Sequence, residues 1–103
     1  MANAAFDAWS VKFVKAVNSF NSETSNWRRY QKDQIRRAVD PIDSRAKQQI
    51  LTLRSEMASI LSYDPVLSSV ALNNLDKIIN TGRNPINTNI VLEWIKKYSS
   101  LVR

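Results

Sequence analysis

The sequence predicts an all-α protein, a compact bundle of four to five helices, on three observations. Apolar residues recur at spacings of three and four along most of the chain. One glycine and three prolines stand in 103 residues, too few for tight β-hairpins, whose positive-φ positions favour glycine or asparagine. No stretch alternates apolar with polar residues or runs rich in valine and threonine, as a strand would. An 11.8 kDa chain with 44% apolar residues suits one folded domain, residues 1–103, around one core.

From Ala4 to about Phe20, the residues Phe6, Trp9, Phe13, Val17 and Phe20 share one helical face. Asn3 is placed to cap that helix, its side chain accepting from an orphan backbone N–H. The polar run Asn21-Ser22-Glu23-Thr24-Ser25-Asn26 reads as a break, with Ser22 or Thr24 starting a second helix that continues to Val39. Its stripe is thin, with Trp27, Tyr30, Ile35 and Ala38 separated by Gln31 and Gln34, so it belongs at the bundle's edge. Asp40-Pro41 ends it and opens a third helix, because proline disfavours helix at the residue before it yet suits a first helical position. Asp40 is the expected N-cap and Asp43 sits in the first turn, where the helix dipole favours negative charge.

The third helix is expected from Pro41 to about Ser62, turning Ala46, Ile50, Leu53, Met57 and Ile60 or Leu61 inward. Asp64-Pro65 repeats the same boundary. A fourth helix, to about Asn80, carries Val66, Val70, Leu75, Ile78 and Ile79, with Thr81-Gly82 closing it and glycine at the C′ position. After the loop Arg83-Asn84-Pro85-Ile86, Asn87 or Thr88 caps a fifth helix reaching about Val102. Val91, Trp94, Ile95, Tyr98 and Leu101 are its inward set. The Asp-Pro and Asn-Pro dipeptides share no flanking sequence, so they mark boundaries and not a repeat.

The net charge of +6 is localised. Arg28, Arg29, Lys32, Arg36, Arg37, Arg45, Lys47 and Arg54 stand against Asp33, Asp40 and Asp43, a local balance of +5 that leaves +1 for the rest of the chain. Such potential attracts polyanions or acidic protein surfaces. Counting about 100° per residue from Arg28, Lys32 lies at about 40°, Arg36 at about 80° and Arg29 at about 100°, so four cations share a quadrant. Phosphate-backbone contact with nucleic acid is the leading reading of Arg28, Arg29, Lys32, Arg36, Arg37, Arg45 and Lys47, with Arg83 in its loop as a further contact. The alternative is a protein-interaction module, an adaptor, inhibitor or assembly subunit, binding an acidic partner through the same donors. Against both stands partial neutralisation by Asp33, Asp43 or Glu56. Trp27 and Tyr30 adjoin the arginines and are read either as core or as stacking contacts.

An enzyme is not expected. Cysteine and histidine are absent, which removes thiolate chemistry, the commonest metal ligand and the usual general base near neutral pH. There is no phosphate-binding glycine loop or nucleophile elbow, and Asp40 with Asp43 reads as helix capping. Neither cofactor nor metal is expected. No apolar run has the length of a membrane span, and Asp7 interrupts any secretory signal, so a cytoplasmic or other intracellular protein, or one associated with a virion, is the expectation.

Between Val70 and Val102, Ala71-Leu72-Asn73-Asn74-Leu75, then Thr88-Asn89-Ile90, Trp94 and Lys97 resemble the helical docking domain of transcription elongation factor S-II and related chromatin readers. The resemblance covers a third of the chain and would imply binding of short acidic, hydrophobic motifs.

Overall fold

The computed structural model describes residues 3–33 and 38–103; residues 34–37 and the side chain of Asp33 lie outside the description. The described residues form four α-helices and no strand: α1 (Ala4–Asp33), α2 (Arg45–Ile60), α3 (Pro65–Ile79) and α4 (Thr88–Ser99), with a single 3-10 turn at Pro41–Asp43 ahead of α2. The molecule measures 50 × 19 × 18 Å. Its long dimension follows α1, whose 30 residues span about 45 Å at 1.5 Å per residue.

The expected break at 21–26 is not there. The two helices read from the sequence on either side of it are one, because the polar run keeps the apolar register. Thr24 falls four residues after Phe20 and is fully buried, as are Phe6, Trp9, Phe13, Val17 and Phe20 before it. Asn21 does not cap a helix; its amide leaves α1 sideways and pairs with a loop peptide. It donates to the Ile86 carbonyl at 2.9 Å and accepts from the Ile86 N–H at 2.7 Å, satisfying both backbone groups of a buried residue. Asn3 caps α1 as anticipated, accepting from Phe6 N–H at 3.0 Å. Ile35, assigned to the second helix's stripe, lies outside the described residues. Ala38 and Val39 are not helical.

Asp40 caps the 3-10 turn alone, accepting from Ile42 N–H at 3.2 Å. Ser44 is extended, at φ −71° and ψ 158°, and is the true N-cap of α2, accepting from Lys47 N–H at 3.1 Å. A residue with that ψ cannot sit inside a helix, so the third helix starts four residues later than Pro41 and ends at Ile60. Its inward set of Ala46, Ile50, Leu53, Met57 and Leu61 is buried. Asp64 caps α3 through Leu67 N–H at 3.1 Å, in agreement with the sequence.

The buried face of α3 is Ala71, Leu72, Leu75 and Ile79, whereas Val66 and Val70 are 75% and 49% exposed. The small Ala71 lets α4 approach closely enough for the Trp94 indole N–H to reach the Ala71 carbonyl at 3.0 Å, and that contact fixes the helix's rotation. Gly82 is not at C′ of α3; it takes φ +60° inside a turn closed by Asn84 N–H on the Thr81 carbonyl. Asn87 caps α4 through the amides of Asn89 and Ile90. Leu101 is 52% exposed and Val102 is buried in its place, because the helix has already ended at Ser99.

The core is one cluster running through all four helices. At its centre Trp9 stacks on Phe13 with ring centroids 4.5 Å apart, and Trp94 lies 5.5 Å from Trp9 and 4.8 Å from Tyr98. The Trp9 indole N–H donates to the Leu53 carbonyl, so neither buried tryptophan leaves its donor unpaired. No helix among the described residues is long and apolar enough to cross a membrane.

Candidate polyanion-binding surface

The structure sorts the predicted cations into those the fold uses and those it leaves at the surface. Lys47 is used. Its stem lies over the Phe20 ring, 5.3 Å from Nζ to the centroid, and Nζ donates to the Ile79 carbonyl in the last turn of α3 at 2.8 Å. Burial pushes the ammonium's pKa below the usual lysine range. Arg54 is used too, in a two-pronged contact from Nε and Nη2 to Asp76, both at 3.0 Å, that ties α2 to α3. That hydrogen bond holds the guanidinium charged more firmly than in solution.

Arg83, expected to touch a partner, is bound to Asp40. Its Nε donates to both carboxylate oxygens at 3.0 and 2.9 Å, and its Nη2 lies 2.9 Å from Oδ2. The hydrogen bond from Arg83, with a backbone donor from Ile42, holds the Asp40 carboxyl below the ordinary aspartate range. The guanidinium also lies over the Trp27 ring, 5.8 Å from its centroid. Trp27 is therefore half-buried beneath a cation, and neither of the two sequence readings, core or open stacking contact, describes it fully.

Arg28, Arg29 and Lys32 are exposed on the last turns of α1. Arg28 donates to the Asn84 side chain. Arg29 and Lys32 form no ion pair among the described residues, and Lys32 lies in the last turn, where a cation complements the helix dipole. Arg29 and Lys32 owe their exposure to geometry. Gln31 occupies the inner stripe four residues after Trp27, yet it is exposed; α1 has outrun the bundle at that point. Arg36 and Arg37 lie outside the described residues.

Arg45 is exposed at the start of α2 but belongs to another face. It lines a groove between α1 and α2 with Lys12, Lys15, Ser19, Gln48 and Gln49. Arg28 stands nine residues beyond Ser19, about 900° or half a turn round the helix. The eight cations anticipated as one surface are thus dispersed: three on the end of α1, one in the groove, two in the fold's own contacts and two outside the described residues. Sequence reasoning missed Lys12 and Lys15 as companions of Arg45. Their spacing of three on the flank of the α1 stripe is visible in the sequence, but joining them to Arg45 requires the antiparallel register of α1 and α2.

Among the described residues no three histidine, cysteine or acidic side chains gather as a metal site. Compared with protein families, with curated proteins and with solved structures, the chain matches none. The residues that resemble the S-II docking domain include Ala71, Leu72, Leu75 and Trp94, all buried where α3 meets α4.

Proposed function

We propose that this protein is a non-enzymatic nucleic-acid-associating protein that holds the phosphate backbone through Arg28, Arg29 and Lys32 on the overhanging end of α1. The observation that carries the reading is that α1 continues as a helix past its last fully buried residue, Thr24, and presents these three cations on ordered backbone. From Ala8 to Lys32 the helix contains one acidic residue, Glu23, and that residue is half-buried with Oε2 enclosed. Asp33 follows Lys32 at the last position of α1, so the local balance of Arg28, Arg29, Lys32 and Asp33 is +2.

The position of Trp27 favours phosphate contact over base stacking at that ring. Trp27 lies under Arg83, so it is not itself the open ring that single-strand binders stack on. The three cations act on phosphates without reading sequence.

Fluorescence anisotropy with labelled duplexes of unrelated sequence, at a series of salt concentrations, tests the proposal. Three phosphate contacts give a log–log salt slope of about −2.7. Arg28→Ala combined with Lys32→Ala weakens binding to every duplex alike and reduces the slope by about 1.8. Binding that ignores salt, or no binding, overturns the proposal; a protein partner recovered after nuclease treatment supports the interaction-module alternative instead.

A further inference from the structure

We infer that the groove between α1 and α2 is a second anion site, one that takes a phosphate-bearing small molecule of about nucleotide size. This site stands apart from the far end of α1, because Lys15 and Arg28 are thirteen residues, about 20 Å, apart along that helix.

Lys12 and Lys15 reach the groove from α1, and Arg45 reaches it from the first turn of α2. The register that brings them together is set by core contacts: the Trp9 indole on the Leu53 carbonyl and the Lys47 stem over Phe20 show the helices running antiparallel. One carboxylate, Glu56, lines the same groove, leaving a net charge of +2. Among the described residues, none of the three cations has an ion-pair partner. That sets them apart from Lys47, Arg54 and Arg83, each of which the fold supplies with an acceptor. Cations gathered on one groove without an acceptor repel one another, and an anion between them relieves that repulsion.

The groove's other properties narrow the anion. Its volume is about 570 Å³, within the range of small-molecule sites and far more than a lone inorganic ion fills. Ala16 and Leu53 give it an apolar floor, and the Gln48 and Gln49 amides supply donors and acceptors beside Arg45. Lys15 and Arg45 line the groove together and are assigned the phosphate, the planar fork of arginine suiting phosphate oxygens. Glu56 lies eleven residues along α2 from Arg45, about 16 Å away. It repels a second anion there and accepts from hydroxyl or amino groups on the ligand's body.

Equilibrium dialysis of the full chain against labelled ATP, adenosine, tripolyphosphate and a short duplex tests the assignment. ATP is expected to bind saturably and adenosine not to bind. Lys15→Gln with Arg45→Gln lowers ATP affinity about tenfold or more, with the helical circular-dichroism spectrum unchanged, whereas Arg29→Gln with Lys32→Gln leaves ATP binding as it was. Absence of saturable ATP and tripolyphosphate binding overturns the inference. So does loss of ATP binding in the Arg29/Lys32 variant alone, or duplex binding that needs Lys15 and Arg45 while ATP does not bind, which would make the groove part of a nucleic-acid track.

Discussion

From Phe6 to Thr24 every residue at the centre of α1's inner stripe is buried, whereas Trp27, next on the stripe, is half-buried and Gln31 beyond it is exposed. Both stretches belong to one helix and keep one spacing. The difference is what lies alongside: α2 and α4 cover the first stretch, and no helix among the described residues covers the last turns. Uncovered cations therefore stand where the core runs out, and on the proposed function truncation should cost stability in the first stretch and binding in the second.

The largest effect is expected from Phe13→Ala, which removes a fully buried ring stacked on Trp9. A loss of about 3–5 kcal/mol in denaturant unfolding is predicted. A loss below about 1 kcal/mol would mean that the first stretch is not core. Asn21→Ala comes next. It strips both partners from the buried Ile86 peptide groups and should cost about 1–3 kcal/mol, whereas a polar break at 21–26 would make the same change nearly neutral. Ser44→Ala, removing the N-cap of α2, should cost about 1 kcal/mol, read from the thermal midpoint.

A smaller effect concerns acid. Asp40 has its carboxyl held below its ordinary value of 3.8 by Arg83. Its contribution to stability is fully present above that value and is lost as pH falls through the lower folded value, because the unfolded chain then binds more protons. Asp40→Asn should flatten this part of the stability profile, seen as melting temperatures that converge for the two proteins in acid. Arg83 is exposed and Asp40 only half-buried, so solvent screens the pair and the change is modest. The smallest stability effect belongs to Arg29→Ala with Lys32→Ala, within about 0.5 kcal/mol of the parent, although it removes most of the duplex affinity. A clear destabilisation would show that these cations, too, serve the fold.

Much of the fold was legible because caps and stripes are local. Asn3, Asp64 and Asn87 cap the helices they were expected to cap. The failures have non-local causes. The run of six polar residues from Asn21 to Asn26 resembles a loop until the burial of Thr24 and the pairing of Asn21 with Ile86 are known. Val66 and Val70 resemble an inner face until Trp94 fixes the rotation of α3 on Ala71. The candidate site was legible as a charge excess but not as a surface. Which cations remain available depends on acceptors far along the chain, the Ile79 carbonyl for Lys47 and Asp40 for Arg83, and no local pattern records those pairings.

The most direct test of the account is a backbone amide chemical-shift titration of the full chain with a short duplex at low salt. Phosphate contact at the end of α1 produces progressive shifts from Arg28 to Asp33, with the amides of Lys47 and Ala71 unmoved. Shifts confined to α3 and α4, or no shifts at any residue, would contradict it.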